Sequence, residues 1–297
     1  MKAYLAAEGF EKELQEELPK IERQYGRLFV TKAAPAQTPA WAQNIWLNPE
    51  LHRFSSAAQA VRLLRERGRQ WSYLPGCASR ISYEIEKQIP GPKLKPLHFL
   101  GRLPQASLGA WTLLEPDLLL LSSKTSSPFA HGEMEFSEDR RPPNRAYLKL
   151  WELFTVHGFL PEANARCVDL GASPGGWTWV LQSLGCDVVA VDKASLAPTV
   201  RGLKRVKCLR QDAFALKPEE IGPVDWLFSD IICYPPRLLE LVTEWRESGL
   251  VKNFVCTIKF QGRTDFKTLK QFQSIPGSQI LHLCHNKHEL TWILQDR

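Results

Sequence analysis

Four ionisable residues lie next to apolar runs in the second half of the chain. Asp230 follows one apolar run, Lys259 follows another, Glu289 begins the last run, and Lys149 precedes the first. The carboxyl ends of parallel strands meet at the edge where open α/β folds bind their ligands. Each of these residues alone would more often be a surface charge. Together the four form a more specific pattern, and Asp230 and Lys259, which each follow an apolar run, are expected to face a ligand at that edge.

A glycine-rich loop follows the first apolar run, in the stretch VDLGASPGGW from Val168 to Trp177. Glycine lets the backbone approach a ligand closely. A dinucleotide site would need G-x-G-x-x-G, whereas the spacing here is D-x-G-x-x-x-G-G, which suits a ligand without a pyrophosphate. S-adenosylmethionine is the candidate. The loop residues expected to bind it are Asp169, Gly171, Ala172, Ser173, Pro174, Gly175, Gly176 and Trp177.

Further acids follow the next strands along the chain. Asp192 lies 21 residues after Gly171, where an acid can accept hydrogen bonds from ribose hydroxyls. Asp212 is expected to meet the adenine edge, and Asp230 completes the cofactor-binding set. A plain strand-to-helix turn would explain the glycine loop alone, but it would not explain acids at the following strand ends.

The second half of the chain alternates apolar runs with helical patterns. This alternation predicts βαβ units and a parallel, doubly wound sheet covered on both faces. A helix is predicted over Gly176–Leu184, ended by Gly185, and another begins at Pro235. The predicted strands are Arg166–Leu170, Asp187–Val191, Val206–Leu209, Val224–Phe228, Asn253–Ile258, Gln279–Leu283 and Leu290–Leu294.

The composition changes after residue 122. Residues 123–140 are polar and interrupted by prolines, which predicts a linker. It separates a smaller α+β domain over residues 1–122 from the α/β domain over residues 141–297. The elements predicted in the first domain are a strand turning into a helix at Gly9–Leu14, a helix over Ala57–Arg67, and a strand pair around Glu115–Asp117.

The overall composition excludes several classes of protein. Of the 297 residues, 44% are hydrophobic and 24% are charged, as in soluble globular proteins. The apolar runs fall far short of the roughly 20 residues of a membrane span, and residues 1–8 meet acid too early for a secretory signal. Seven scattered cysteines, Cys77 among them, form no C-x-x-C pair, which favours free thiols in a reducing cytoplasm.

With these motifs, the sequence resembles the FtsJ/RrmJ-type ribose 2′-O-methyltransferases, above all the RlmM-type enzymes of 23S ribosomal RNA. The resemblance implies a Rossmann-like class I methyltransferase sheet of seven strands. It also implies a shortened, THUMP-like N-terminal domain, of which only the first turn matches clearly. The loop of that family usually has Cys where Ser173 stands. Besides the glycine loop and its acids, the matching stretches are Gly9–Glu13, Ser127–Phe129, Leu148–Leu150, Asp225–Leu227, and His285 with Glu289.

The resemblance implies S-adenosylmethionine-dependent methylation of a ribose 2′-hydroxyl in ribosomal RNA, at a cytidine of 23S RNA. Lys259 would be the general base, Asp230 would orient it, and Glu289 would fix the network that includes Lys149. A free lysine is protonated at neutral pH, with a pKa of about 10.4. The base therefore needs surroundings that favour its neutral form, such as burial and a neighbouring cation.

The implied partner is RNA, and neither DNA nor a membrane is expected. The net charge of +6 is compatible with a polyanionic partner without establishing one. Two basic clusters could contact phosphates, although each could also be an ordinary solvated surface. They are Arg140, Arg141, Arg145 and Lys149 in the second domain, and Arg62, Arg65, Arg67 and Arg69 in the first.

Several alternatives stay open. Tyr234-Pro235-Pro236 is similar to the proline pair of base N-methyltransferases, although those enzymes have an Asp or Asn directly before the prolines. A catalytically silent RNA-binding protein of the same fold and a small-molecule methyltransferase are further possibilities. His282, His285 and His288 have a metal-like spacing, but on a strand residues three apart point to opposite faces, so no metal is predicted.

Overall fold

The computed structural model describes residues 1–76, 79–93 and 95–296, so Cys77 lies outside the described residues. The chain divides into two compact units, residues 1–137 and 138–297. Most of the segment predicted as a linker, residues 123–140, therefore belongs to the first unit, where Thr125 forms a β-bridge with Trp46. No helix among the described residues is long and apolar enough to span a bilayer.

The first unit is an α+β structure with two four-stranded sheets, one formed by its first four strands and the other by its last four. The helix predicted over Ala57–Arg67 and the strand pair around Glu115–Asp117 are confirmed. The elements are β1 (Lys2–Ala6), α1 (Glu11–Glu17), β2 (Ile21–Tyr25), β3 (Leu28–Thr31), β4 (Ala42–Trp46), β5 (Glu50–Arg53), α2 (Ala57–Arg67), β6 (Trp71–Tyr73), α3 (Arg80–Gln88), β7 (Gly109–Glu115) and β8 (Leu118–Ser122).

Helix α2 shows how this unit folds locally. The Ser56 hydroxyl accepts a hydrogen bond from the Gln59 backbone N–H and caps the helix. Val61 and Leu64, three residues apart and thus on one face, are buried in a cluster with the large ring of Trp111. The opposite face is polar, and its predicted basic cluster is partly paired with acids, Arg62 with Glu66 and Arg67 with Glu50.

The second unit contains a seven-stranded sheet, with a helix between successive strands except for the last two. Each predicted strand is present, and Gly185 has the left-handed backbone (φ +85°) expected after the predicted helix. The elements are α4 (Tyr147–Glu152), β9 (Arg166–Leu170), α5 (Gly176–Ser183), β10 (Asp187–Asp192), α6 (Pro198–Arg201), β11 (Val206–Arg210), α7 (Pro218–Ile221), β12 (Val224–Ser229), α8 (Pro235–Glu247), β13 (Val251–Lys259), α9 (Phe266–Gln273), β14 (Ser278–Leu281) and β15 (Glu289–Leu294).

The strand order is β11-β10-β9-β12-β13-β15-β14. The α/β prediction is confirmed, but the prediction of a wholly parallel sheet is wrong, because β15 pairs antiparallel with both β13 and β14. The seven residues between β14 and β15 are too few for the crossover that a parallel connection needs. Strand β14 also ends at Leu281, two residues before the predicted end, where this short connection begins.

Candidate active site

A cleft of about 470 Å³ lies at the carboxyl ends of the central strands of the second unit. The strand order reverses between β9 and β12, and open α/β sheets bind ligands at such a switch point. The volume is within the range of small-molecule sites. The residues that line the cleft are Asn144, Ala146, Asp169, Gly171, Ala172, Ser173, Pro174, Gly176, Trp177, Asp192, Asp230, Ile231, Ile232 and Lys259.

The glycine loop between β9 and α5 forms one wall of this cleft, and its glycines leave no room for side chains. Gly171 has φ +76°, and a Cβ on it would lie 2.4 Å from Cγ1 of Ile231. A Cβ on Gly176 would lie 2.0 Å from Oδ1 of Asn144. Only glycine allows the backbone to approach its neighbours this closely, as the sequence predicts for a ligand-binding turn.

Two buried oxygen atoms in the lining have no hydrogen-bond partner within the described part of the chain: Oδ1 of Asp169 and Oδ1 of Asn144. The other carboxylate oxygen of Asp169 accepts a hydrogen bond of 2.6 Å from the Thr178 hydroxyl. Burial raises the pKa of Asp169 to about 7. Orphaned buried acceptors are uncommon in proteins, and here they leave two acceptors for a ligand in the cleft.

Asp192 and Asp212, both predicted to bind a cofactor, have different surroundings. Asp192 lines the cleft and accepts backbone hydrogen bonds from Ser173 (2.9 Å) and Ala194 (2.8 Å). Asp212 is not among the lining residues. Its carboxylate lies 2.9 Å from the Lys193 ammonium, which lowers the pKa of Asp212. The structure therefore brings Asp192 to the cleft and leaves Asp212 outside its lining.

The four residues of the predicted proton-transfer set form one connected network. Nζ of Lys149 lies 2.6 Å from Oε1 of Glu289, and 3.1 and 3.3 Å from the two carboxylate oxygens of Asp230. Nζ of Lys259 lies 3.0 Å from Oδ1 of Asp230 and donates a 2.7 Å hydrogen bond to the Asp230 carbonyl oxygen. Both lysines thus share one carboxylate oxygen, and Asp230 is the centre of the network.

Lys149 is the structural cation of the network. Burial by itself would lower the pKa of Lys149. The attraction of the Asp230 and Glu289 carboxylates outweighs burial, so the pKa lies above its ordinary value. Its ammonium group is therefore fully charged at neutral pH. The side chains of Lys149 and Glu289 are each only 10% exposed, so this ion pair is held in a largely dehydrated environment where charges interact strongly.

The reversed strand β15 explains how Glu289 reaches the network. Because β15 runs antiparallel to β13, its first residue lies at the edge where β13 ends, and Lys259 and Glu289 are register partners. Lys149 enters from α4, and Asp230 follows β12 directly. Three strands and one helix, distant in sequence, thus supply the four side chains.

Glu152 was not recognised from the sequence, although it supports this network. It lies three residues after Lys149, is buried, and accepts hydrogen bonds from the backbone N–H groups of Cys284 (2.7 Å) and His285 (3.1 Å). It also lies 2.6 Å from Nδ1 of His285. An acid within an apolar helical segment was the available signal, since a buried acid needs partners. Glu152 fixes the loop that leads into Glu289.

The three histidines have separate partners. His285 bonds to Glu152, His288 to the Thr264 hydroxyl, and His282 to the Lys287 carbonyl oxygen. Among the described residues, no group of three or more His, Cys, Asp or Glu side chains could hold a metal ion.

Exposed ion pairs involve two arginines of the predicted basic approach. Arg141 pairs with Asp139 and lies 5.3 Å from the ring centre of Trp179. Arg145 pairs with Glu138 at 2.7 Å. The side chains of Arg141 and Arg145 are 76% and 75% exposed, so both guanidinium groups can meet an anion that approaches from solvent.

Comparisons with known proteins identify the second unit. Residues 142–290 match the family model described as FtsJ-like methyltransferase. The chain is 30% identical over 220 residues to a ribosomal RNA large subunit methyltransferase M from Methylococcus capsulatus, covering 69% of this chain and 59% of that protein. It is 38% identical over 141 residues to the protein of the same name from Laribacter hongkongensis, covering 45% and 39%.

The chain spans about half the length of the curated relatives that it matches. Among solved structures, TrmN from Thermus thermophilus aligns over 100% of this chain and 99% of its own, with 14% identity and a TM-score of 0.40. The family match covers half of the present chain, including the glycine loop and the whole four-residue network. The chain belongs to the FtsJ-like methyltransferase family.

Proposed function

We propose that this chain transfers a methyl group from S-adenosylmethionine to a ribose 2′-hydroxyl of ribosomal RNA, at a cytidine of 23S RNA. The observation that carries the proposal is the lysine–carboxylate network beside the glycine-loop cleft, with Lys259 lining that cleft. The name shared by the relatives, ribosomal RNA large subunit methyltransferase M, supports the RNA substrate. An enzyme of ribosomal RNA would act in the cytoplasm.

The residues of the cleft fit S-adenosylmethionine. The unpaired Oδ1 atoms of Asp169 and Asn144 would accept hydrogen bonds from its ammonium group, and the backbone of Gly171 would lie along it. Asp192 would accept hydrogen bonds from its ribose, and Asp212 is proposed for the adenine edge. When bound, S-adenosylmethionine supplies an electrophilic methyl group on a sulfonium sulfur.

Lys259 would take the proton of the 2′-hydroxyl. A neutral amine has two N–H donors and one lone pair. The two donors match the two acceptors that Lys259 contacts, the carbonyl oxygen and Oδ1 of Asp230. The lone pair is then left for the hydroxyl proton, and the oxygen freed of that proton becomes the nucleophile. Asp230 would thus orient Lys259 through its carbonyl oxygen and its Oδ1.

Once Lys259 has lost its own proton, the charges of the network favour its taking the proton of the hydroxyl. With Lys259 neutral, Lys149 faces two carboxylates, so the group carries an excess negative charge. As Lys259 takes the proton, two cations balance two carboxylates. Charge that develops in the transition state is therefore stabilised by groups already in position. Lys149 and Glu289 would act by holding Asp230 rather than by touching the substrate.

The arginine cluster that precedes helix α4 and the N-terminal domain are proposed to hold the RNA. Arg140, Arg141 and Arg145 precede the helix that carries Lys149 and are proposed to contact phosphates beside the target nucleotide. The N-terminal residues 1–122, proposed as a shortened THUMP-like domain, would help to choose the RNA. Because phosphate contacts release counterions, RNA affinity should fall steeply with salt concentration.

The proline pair after Tyr234 has a structural role that weakens the base-methylation alternative. Pro235 and Pro236 occupy the first positions of helix α8, where proline is favoured because its missing N–H is not needed. The acid of the site, Asp230, precedes the prolines by five residues instead of one. Ribose methylation is therefore the function that the geometry supports best.

The decisive experiment combines the purified chain, unmodified 23S ribosomal RNA transcribed in vitro and S-adenosylmethionine with an isotopically labelled methyl group. The RNA is digested to nucleosides and analysed by mass spectrometry. The proposal expects the label in 2′-O-methylcytidine. Label on a base would support the N-methyltransferase alternative, and RNA binding without transfer would support a silent binding protein. Transfer to metabolite extracts but not to RNA would support a small-molecule enzyme.

A further inference from the structure

The segment between Asp230 and helix α8 alternates inward and outward residues. Ile231 packs against Gly171, and Cys233 is buried. Between and after them, Ile232 is 79% exposed and Tyr234 is 62% exposed. The segment is thus fixed to the protein by one set of side chains and presents two large apolar side chains to solvent.

This exposure stands out within the second unit. Of its described residues, only Leu160, Ile232 and Tyr234 are large hydrophobics counted as exposed, and Leu160 is only 38% exposed. Neighbouring exposed apolar groups on an otherwise well-packed protein often mark an interaction site. Ile232 also lines the cleft together with Asp230 and Lys259. The exposed pair is therefore continuous with the proposed site of chemistry.

Geometry identifies what would cover these two side chains. The base and the 2′-hydroxyl of a nucleotide are attached to adjacent carbons of one ribose. A hydroxyl that reaches Lys259 therefore brings its base within a few ångströms of the network. Unpaired RNA bases are commonly held by stacking on aromatic side chains, and Tyr234 is the exposed aromatic residue four positions after Asp230.

We propose that Ile232 and Tyr234 form the seat for the base of the target nucleotide, an inference that rests on the proposed ribose methylation. The tyrosine ring stacks on the base and Ile232 packs against it at the cleft. Stacking contacts the π-face that every base has and not its hydrogen-bonding edges. This seat therefore holds the target nucleotide in position for Lys259 without selecting cytidine over other bases.

The test compares Tyr234→Ala with Tyr234→Phe, which keeps the ring, and with Leu160→Ala, an exposed apolar control away from the cleft. Methyl transfer to unmodified 23S RNA transcribed in vitro is measured at varied RNA concentration, with S-adenosylmethionine binding and thermal unfolding measured separately. Because Tyr234→Ala removes one stacking contact with the base, we expect it to raise the KM for RNA about tenfold. Tyr234→Phe and Leu160→Ala should stay close to wild type, and the three variants should bind S-adenosylmethionine normally.

An active wild type together with an unchanged KM and kcat in Tyr234→Ala would overturn the base seat and leave the proposed function standing. Equal losses in Tyr234→Ala and Leu160→Ala would overturn it as well, because the effect would then not depend on the cleft. A wild-type chain that transfers no methyl group to RNA ribose would overturn the proposed function, and the seat with it.

Discussion

The ammonium nitrogen of Lys149 lies 2.6 Å from a carboxylate oxygen of Glu289. One residue belongs to the helix before the first strand of the sheet and the other to its last strand. Each side chain is 10% exposed, so the pair is well shielded from water. This contact, together with the bonds from Lys149 to Asp230, joins the two ends of the domain at the point where chemistry is proposed.

Replacing Lys149 with Met should destabilise the protein strongly. The substitution leaves the buried Glu289 and the half-buried Asp230 without this cation, and breaking a buried ion pair typically costs about 3 kcal/mol of unfolding free energy. Lys252→Met is the matched control, since this lysine on β13 is 66% exposed and makes one surface pair with Asp225. Urea titrations of both variants measure the difference, and similar small losses would contradict the role given to Lys149.

The same pair predicts a dependence on alkaline pH. Because the pKa of Lys149 is raised in the folded protein, its stabilising effect is complete below the unfolded pKa of about 10.4. The effect is lost as the pH rises from there through the folded pKa. The gap in stability between wild type and Lys149→Met should therefore narrow above pH of about 10.4, and a constant gap would argue against the raised pKa.

Gly171→Ala and Gly158→Ala should separate backbone strain from closeness to a ligand. The two glycines have φ of +76° and +75°, so an added Cβ meets the same left-handed strain of about 1 kcal/mol. At Gly158 nothing lies within 4 Å, whereas at Gly171 the Cβ meets Ile231 at 2.4 Å. Calorimetry should therefore show S-adenosylmethionine binding weakened about tenfold or more only in Gly171→Ala, from the additional overpacking. Equal affinities in both variants would mean that the glycine loop does not shape the site.

Glu152→Gln should loosen the loop that carries Glu289 into place. Glutamine keeps one acceptor oxygen but turns an amide N–H₂ toward the donors of Cys284 and His285. Losing hydrogen bonds to a buried charged group should lower the unfolding free energy by about 1.5–3 kcal/mol. We also expect kcat to fall while the KM for S-adenosylmethionine stays near wild type. The control Glu162→Gln, at an exposed position, should change neither, and a normal kcat in Glu152→Gln would remove it from the support of the network.

Asp169 predicts a second pH dependence of stability, which arises from burial of a carboxyl group rather than from an ion pair. Burial raises its pKa to about 7 in the folded protein, against about 3.9 in the unfolded chain. Between these values the folded state binds more protons, so this residue makes stability fall as the pH rises from about 4 to about 7. Unfolding measured across this range should show a shallower decline in Asp169→Asn than in wild type. Parallel curves would mean that Asp169 ionises normally.

The strands of the second unit could be predicted because each is a short apolar run between turn residues, a local property of the sequence. The approach of Asp230 and Lys259 followed from that pattern, since parallel strands end at one edge. The reversal of β15 could not be predicted in the same way. It depends on a short connection whose residues, such as Cys284, are held by the distant Glu152.

The surroundings of Asp212 could not be predicted by counting strand ends, and its contact with the adenine edge stays a prediction. Strand β11 ends at Arg210, two residues earlier, and the Asp212 carboxylate meets Lys193, which follows Asp192 in sequence. A local ion pair of this kind leaves no trace in the spacing of acids. Glu152 could not be predicted because its hydrogen-bond partners, Cys284 and His285, lie more than 130 residues away in the sequence.

The central claim is that Lys259 takes the proton of the ribose hydroxyl, and Lys259→Ala tests it most directly. Single-turnover methyl transfer to unmodified 23S RNA transcribed in vitro is measured for wild type, Lys259→Ala and the control Lys252→Ala from the same strand. Loss of a general base should slow transfer about 10²–10⁴-fold, while S-adenosylmethionine affinity stays within a few-fold and Lys252→Ala behaves as wild type. Transfer by Lys259→Ala at the wild-type rate would contradict the account.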